Sequence, residues 1–409
     1  MLNTRKITEI ANEYGTPLYI LDKESLGKRV SEIKSILGSD VTLCFAMKAN
    51  PFLVDAFKSL DTKYEVCSPG EFSICEREQV DMDKIVLSGV NKEKSDIEHV
   101  MDDCGGVGIY TIESINHLEL ISECAAERNL VVQVLIRVTS GNQFGLDESD
   151  VENIIKNRAD YPNVHIKGLQ CYTGTQKKKF DIIQSELDYL DELCERFKKE
   201  YGFEAEELEY GPGLPVSYFG EEAYNNNYDM LRQLSSALEP LKSKYHITLE
   251  MGRFLTALCG IYVTGVEDIK VNKGQNYVII DGGINHVNYY GQTMAMKIPA
   301  YSYVKADGTI VKDEETSVLG GTDDEKWTIC GSLCTVADLI VKNLPVGHPD
   351  RGDKLIFYNI GAYSITEGIY LFLSRKMPKI LAYNEDGTIE LYRDVMCSDI
   401  INSRQATMK

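Results

Sequence analysis

The sequence lacks any apolar run long enough to cross a bilayer, and its N-terminus has no apolar stretch of signal-peptide length. It has no long basic run, and its formal net charge of −20 disfavours binding to nucleic acid or anionic lipid. The 11 cysteines stand singly without a CxxC pair, which indicates neither a disulfide framework nor a metal site. We therefore expect a cytoplasmic protein with reduced thiols and no membrane or nucleic-acid partner.

The composition is that of an ordinary globular protein, with 43% hydrophobic and 26% charged residues. No internal repeat or low-complexity segment interrupts it. At 409 residues the chain exceeds the size at which a single core stops growing. Two domains are therefore expected.

Short apolar strands alternate with helical stretches between about residues 40 and 255, a pattern typical of βα units around a parallel sheet. Helices are predicted, for example, over residues 112–127 and 180–201. Eight strands of this kind close a TIM-type barrel, so the predicted fold is α/β with a (β/α)₈ barrel. The predicted strands begin at Val41, Lys63, Lys84, Val107, Val131, His165, Glu207 and His246.

The pattern changes after about residue 258 to β-rich segments separated by glycine and Asp/Asn turns. We therefore predict a barrel over residues 24–257 and a C-terminal β domain over residues 258–409. The strand at residues 16–21 precedes the barrel but resembles the late strands, so it is expected to pair with them.

Candidate functional residues follow the predicted barrel strands, at the end of a TIM barrel where active sites lie. They are Lys48, Glu65, Ser68, Arg137, Tyr172, Thr175, Gly211, Gly213, Glu250 and Arg253.

Four of these residues suggest chemistry, although each has a simpler alternative. Burial of Lys48 at a strand end would lower its pKa and suit imine formation, whereas a surface lysine would only snorkel. The small residues Gly211 and Gly213 could admit a phosphate or merely form a turn. Glu250 could hold the proton of a pyridine nitrogen, as pyridoxal phosphate (PLP) requires, or pair with Arg253.

Eight motifs in order along the chain resemble those of the fold-type III PLP-dependent decarboxylases, which include the ornithine, arginine and diaminopimelate decarboxylases. This resemblance implies an alanine racemase-like fold, bound PLP and a homodimer with shared active sites. The motifs are FAMKANP, EVCSPGE, YTGTQ, YGPG, EMGR, DGGINH, GSLCTVAD and GAY.

The resemblance also implies a role for each matching residue. Lys48 resembles the lysine that holds PLP as an imine, and Cys334 resembles a catalytic cysteine supplied across the dimer interface. The implied substrate residues are Arg253, Thr335 and Asp338. The implied cofactor residues, besides Lys48, are Glu65, Ser68, Tyr172, Thr175, Gly211, Gly213, Glu250, Arg253 and, across the interface, Tyr363.

Four positions depart from the family pattern. Tyr172 replaces a ring-stacking histidine, and Met251 and Pro212 replace a proline and a glycine. Thr335 follows Cys334 where ornithine and diaminopimelate decarboxylases have an acidic residue that recognises the distal amine of the substrate. A neutral hydroxyl cannot form that charge-assisted bond, so we expect a substrate with a neutral, acidic or acylated distal end.

Within the family, the sequence most resembles decarboxylases that act on glutamate tethered to an acyl carrier protein. A carrier protein could dock on Lys177, Lys178 and Lys179, although these could equally be a solvated helix start. The alternatives are decarboxylation of free diaminopimelate, racemization using Tyr363 or Tyr289 as a second acid-base group, and a non-catalytic relative.

Overall fold

A computed structural model describes residues 2–289, 295–313 and 325–404. It divides into two compact units. The barrel unit comprises Arg29–Pro215 and Tyr228–Leu255, and the β unit comprises the described residues before Arg29, within Val216–Asn227 and after Leu255.

The described residues form both helices and strands. The helices are α1 (Thr4–Tyr14), α2 (Lys23–Leu37), α3 (Val54–Phe57), α4 (Pro69–Arg77), α5 (Lys94–Asp102), α6 (Ile115–Glu127), α7 (Glu148–Lys156), α8 (Phe180–Tyr201), α9 (Asp229–Lys242) and α10 (Arg253–Thr256). The strands are β1 (Leu18–Asp22), β2 (Val41–Ala46), β3 (Lys63–Val66), β4 (Ile85–Leu87), β5 (Ile109–Ile112), β6 (Val132–Arg137), β7 (Val164–Tyr172), β8 (Glu207–Gly211), β9 (His246–Met251), β10 (Gly260–Asn272), β11 (Gln275–Ile280), β12 (Tyr301–Val304), β13 (Ile310–Lys312), β14 (Lys326–Cys330), β15 (Leu339–Pro345), β16 (Lys354–Phe357), β17 (Lys379–Tyr383) and β18 (Ile389–Arg393).

The barrel is closed by parallel strands in the order β2 to β9, with β9 pairing back onto β2 through Leu43 and Leu249. The predicted (β/α)₈ barrel is thereby confirmed. Its strands are mostly buried, as strands covered on both faces must be. The amphipathic helix α8 buries one apolar side and ends at Tyr201, and its C-cap Gly202 has a φ of 60°, which suits a left-handed helix cap.

The β unit is built on a sheet with the strand order β13-β12-β16-β10-β1-β17-β18. Within it, β1 lies antiparallel to β10 and parallel to β17. Strands β11, β14 and β15 continue from β10 as a side branch. Apolar residues of α1 and β1, including Ile7, Leu18 and Ile20, pack with Val263 and Leu381 in one core. In the described part of the chain, no helix has the length and hydropathy needed to span a membrane.

Candidate active site

Lys48 lies between two buried carboxylates at the carboxyl end of the barrel. It occupies a short 3₁₀ turn, Met47–Ala49, directly after β2. Its Nζ donates to the two oxygens of Glu65 at 2.9 and 2.6 Å and lies 3.5 Å from Oε1 of Glu250. Glu65 and Glu250 are only 3% and 7% exposed. The barrel thus brings together three predicted site residues from β2, β3 and β9.

The expected lowering of the Lys48 pKa is wrong for this arrangement. Burial opposes the charge of Lys48, but Glu65 and Glu250 outweigh that effect and raise its pKa well above the usual value. Burial likewise works against the charge of Glu65, but Lys48 and the Cys67 thiol lower its pKa. The sequence argument considered burial alone and not the two carboxylates that face the amine.

Glu250 differs from Glu65 in its electrostatics. Burial and the nearby charge of Glu65 raise the pKa of Glu250 to about 7, in spite of Lys48. Its Oε2 accepts a hydrogen bond at 3.0 Å from the side-chain amide of Gln170, which is also buried. The Glu250 carboxyl can therefore take up or release a proton near neutral pH.

Gln170 and Glu209 were not predicted as site residues. Both lie inside the barrel, in register with each other on β7 and β8. Glu209 is fully buried, and neither of its oxygens has a hydrogen-bond partner among the described residues. Burial and the nearby charge of Glu250 raise its pKa well above the usual value. The sequence could have indicated both residues, because positions two apart on a strand lie on the same face. Gln170 and Glu209 lie two positions before the predicted site residues Tyr172 and Gly211.

The two predicted phosphate glycines allow close packing at the ends of β7 and β8. A Cβ on Gly211 would lie 2.5 Å from Cδ2 of Tyr172. Gly213 has a φ of +61°, and a Cβ there would lie 2.0 Å from the carbonyl oxygen of Gly174. Thr175, which follows Gly174, is half-buried in the same loop. Small residues are therefore required here for close packing against the Tyr172 side chain and the Gly174 backbone, whatever ligand the loop binds.

Ser68 is the N-cap of α4. Its hydroxyl accepts the backbone N–H of Glu71 at 3.2 Å, and Pro69 follows at the first helical position, as in many helix N-termini. The neighbouring Cys67, which was not predicted, donates its thiol to Oε1 of Glu65 at 2.8 Å and lies 3.7 Å from Nζ of Lys48. Its position two residues after Glu65 was the feature of the sequence that could have indicated it as a site residue.

Arg137 and Arg253 also lie at strand ends of the barrel unit. Arg137, the last residue of β6, pairs with Glu113 at 3.0 Å. Arg253, the first residue of α10, is 8% exposed.

Lys177 does not belong to a surface patch. It is 8% exposed, and its Nζ donates to Oε2 of Glu186 at 2.5 Å, beside Tyr210. Lys178 and Lys179 are exposed immediately before α8. The three lysines therefore have different surroundings, and a carrier-docking patch of all three is wrong.

In the β unit, Asp338 organises the loop that carries Cys334 and Thr335. The Asp338 carboxyl is 2% exposed and accepts the backbone N–H groups of Ile284 and Leu333 at 2.8 and 2.7 Å. Cys334 is exposed and Thr335 is half-buried. The structure thus brings these three predicted residues together, while the predicted contact of Asp338 with substrate stays a prediction.

The two tyrosines considered for acid-base chemistry have different environments. Tyr289 is buried, and its hydroxyl donates to the carbonyl of Tyr358 at 3.0 Å. Burial also raises its pKa well above the usual value, which does not suit a proton-transfer group. Tyr363 is half-buried, with a backbone φ of 67°.

Comparison with known proteins identifies the family. The pyridoxal-binding domain of the pyridoxal-dependent decarboxylases matches residues 23–257. The chain is 27% identical to the L-glutamyl-[BtrI acyl-carrier protein] decarboxylase of Niallia circulans, over 99% of this chain and 97% of that protein. It is 23% identical to the diaminopimelate decarboxylase of Aquifex aeolicus, over 95% and 91% of the two chains.

A solved structure confirms the fold over nearly the whole length. The diaminopimelate decarboxylase of M. jannaschii in complex with L-lysine superposes with a TM-score of 0.83 at 23% identity, covering 98% of this chain and 94% of that one. At this level of identity, the similarity concerns the fold.

The described residues of the barrel unit also fit PLP. Lys48 provides an amine that can bond to the aldehyde carbon, and Glu250 provides a buried carboxyl for the ring nitrogen. Gly211 and Gly213 provide a closely packed strand end without side chains. When bound, PLP supplies the electron sink that decarboxylation needs. This chain belongs to the ornithine and diaminopimelate decarboxylase family and is a PLP-dependent amino-acid decarboxylase.

Proposed function

We propose that this enzyme decarboxylates an L-amino acid whose distal end carries no positive charge, with glutamate tethered to a carrier protein as the leading candidate. The observation that carries the proposal is Thr335, which stands directly after the exposed Cys334. Its hydroxyl lies 3.4 Å from the backbone N–H of Ala337, as an acceptor. A site built for a distal ammonium would place a carboxylate where this neutral side chain stands.

The nearby Asp338 does not supply the missing carboxylate in an open position. It is buried, and each of its oxygens accepts a backbone N–H. A site without an available carboxylate would leave the distal ammonium of a substrate buried without a charged partner, whereas a neutral substrate end needs no such partner. This difference discriminates strongly between the two kinds of substrate.

The relatives support two substrate classes to different degrees. The relative from Niallia circulans is named for a carrier-bound glutamyl substrate, and its match covers 99% of this chain. Diaminopimelate decarboxylation is the second candidate, because the relative of Aquifex aeolicus has that name at 23% identity. Thr335 favours the first candidate over the second.

We propose the following roles for the barrel residues. Lys48 binds the cofactor covalently, and Glu250 holds a proton at its ring nitrogen. Tyr172 stacks on the ring, which an aromatic side chain can do without carrying a proton. Glu65 holds the Lys48 amine in place through the bonds at 2.9 and 2.6 Å. The proposed phosphate residues are Thr175, Gly211, Gly213 and Arg253.

We further propose that two copies of the chain share their active sites. In this proposal, Cys334 protonates the substrate carbon after CO₂ leaves, and Tyr363 contacts the phosphate in the site of the other copy. The exposure of Cys334 supports this, because a thiol that acts on another subunit must be accessible. Val336, two residues later, is an apolar side chain that is 94% exposed, as expected beside an interface.

The test is CO₂ release from a glutamyl thioester of a carrier protein, compared with free diaminopimelate, ornithine, lysine, arginine and glutamate. We expect release from the tethered substrate. Thr335→Asp should move the preference towards diaminopimelate, whereas Thr335→Asn, which has the same shape without charge, should not. Faster release from diaminopimelate by the wild-type enzyme would overturn the substrate assignment.

A further inference from the structure

Glu76, His99 and Cys104 form a cluster of potential metal ligands on the barrel unit, away from Lys48 in the sequence and on other elements. Glu76 lies near the end of α4, His99 lies in α5, and Cys104 lies just after α5. One ligand atom from each lies within 4.8 Å of the other two. Among the described residues, this is the one group of three or more His, Cys, Asp and Glu side chains with that property.

The distances suit a small ion with mixed ligands. Nε2 of His99 lies 2.9 Å from Oε1 of Glu76, and Sγ of Cys104 lies 3.6 Å from the same oxygen. In a tetrahedral zinc site, bonds of about 2.0 to 2.3 Å place neighbouring ligand atoms roughly 3.3 to 3.7 Å apart. The Sγ–Oε1 distance lies in this range, the Nε2–Oε1 distance is about 0.4 Å shorter than its lower end, and the third distance, from Sγ to Nε2, is at most 4.8 Å.

Asp103 provides the support that a metal-binding histidine normally has. Its Oδ2 lies 2.6 Å from Nδ1 of His99, so the imidazole presents Nε2 to Glu76 with its other nitrogen already bonded. Phe72 packs edge-on against the imidazole, with ring centroids 5.9 Å apart. The orientation of the ring is thus fixed from two sides.

An ion pair alone would explain part of this arrangement, because Asp103 and Glu76 both raise the pKa of His99 through hydrogen bonds. The thiol of Cys104 adds a third group, because its Sγ lies 3.6 Å from the same carboxylate oxygen that the imidazole meets. His165 and Glu206 show the simpler case, an exposed pair at 2.8 Å. The thiol is the ligand type that distinguishes zinc from magnesium or calcium.

We propose that Glu76, His99 and Cys104 bind one Zn²⁺ ion, with Asp103 as the hydrogen-bond partner of the histidine and a fourth position left for water. Such an ion would join α4 to α5. His99 and Phe72 also line a cavity of about 160 Å³ that extends to Cys67 at the end of β3. Zinc would therefore hold together the two helices that flank this cavity.

The holoenzyme, stripped of metal by dialysis against a chelator, should be titrated with ZnCl₂ by calorimetry. We expect one Zn²⁺ per chain that is lost in Cys104→Ser and in His99→Gln. Asp103→Asn should retain the site with an affinity about 10- to 100-fold weaker. His165→Gln and Cys397→Ser are the matched controls, since they remove an exposed histidine and an exposed cysteine elsewhere.

Co²⁺ gives a second readout that does not depend on activity. The wild-type enzyme should show a thiolate-to-cobalt absorption band, and Cys104→Ser should lack it while keeping its circular dichroism spectrum. The proposal is overturned if the wild-type enzyme binds no Zn²⁺, or if Cys104→Ser binds Zn²⁺ with unchanged stoichiometry and affinity.

Discussion

Gln170 donates its side-chain amide to Oε2 of Glu250 at 3.0 Å, across the intervening strand β8 of the barrel. The other oxygen, Oε1, lies 3.5 Å from Nζ of Lys48. The two oxygens of one carboxyl therefore face a neutral donor and a cation. Glu250 therefore connects Gln170, inside the barrel, to the amine of Lys48.

The first prediction concerns the pH dependence of stability in the cofactor-free protein. The pKa of Glu250 is about 7, against 4.5 ordinarily, so the folded state binds more protons than the unfolded state between these values. Its contribution to stability must fall as the pH rises through this window, by about 3 kcal/mol in total. Urea unfolding at pH 4.5 to 8 should show this fall in the wild-type protein but not in Glu250→Gln.

Gln170→Leu provides a second test of the assignment to Glu250. Because the amide of Gln170 lowers the pKa of Glu250, its loss should move the fall in stability to higher pH. An identical pH profile for wild type and Glu250→Gln would contradict the assignment of the transition to Glu250.

The second prediction concerns Lys48. Lys48→Ala removes the amine that binds the cofactor, so the absorption band of lysine-bound PLP should disappear and CO₂ release should fall by at least about a thousandfold. Lys178→Ala, which removes an exposed lysine of the same unit, should leave both unchanged. A retained band in Lys48→Ala would mean that another group binds the cofactor.

The third prediction separates backbone strain from packing. Gly213 and Gly202 have nearly the same φ, +61° and +60°, but only a Cβ at Gly213 would meet another atom, Gly174 O at 2.0 Å. Gly213→Ala should lower the free energy of unfolding by about 2 to 4 kcal/mol, whereas Gly202→Ala should lower it by about 1 kcal/mol. Equal losses on chemical denaturation would show that the close packing is not important.

The fourth prediction concerns Asp338. Asp338→Ala removes a buried carboxylate that accepts two backbone N–H groups, so stability should fall by about 3 kcal/mol. Asp386→Ala is the control, since Asp386 also accepts a backbone N–H but is exposed, and its loss should be below about 1 kcal/mol. A reversal of this order in thermal unfolding would contradict the organising role of Asp338.

The fifth prediction concerns Lys177. Lys177→Met leaves Glu186 without its cation in a largely buried position, which should cost about 3 kcal/mol of stability. Lys178→Met should have almost no effect, because Lys178 is exposed. In Lys177→Met/Glu186→Leu, much of the lost stability should return, and a double variant as unstable as the single one would argue against the ion pair.

Much of the barrel could be predicted because its strands are buried on both faces and therefore appear as continuous apolar runs, as at β2 and β9. Lys48 and Glu250 were predicted because each stands at the end of such a run. Gln170 and Glu209 were missed because they lie within strands, where only the register of the barrel shows which way they point. The pKa of Lys48 was mispredicted because it depends on carboxylates from two other strands.

The β unit was harder to predict in detail. Asp338 was predicted as a substrate residue from its motif, but nothing in the sequence indicated that backbone groups as distant as Ile284 would occupy its carboxyl. Similarly, the zinc ligands Glu76 and His99 are separated by a strand, so their spacing matches no common metal motif.

The position of β1 affects how the protein is made. Its partners in the sheet are Gly260–Asn272 and Lys379–Tyr383, which the ribosome synthesises long after Leu18–Asp22. At about 5 to 20 residues per second, β1 waits roughly 20 to 70 s for β17, while every strand of the barrel is already synthesised by Met251. During translation the barrel can therefore form first, while the apolar strand β1 still lacks its partners, and this is the stage at which a chaperone would have most to protect.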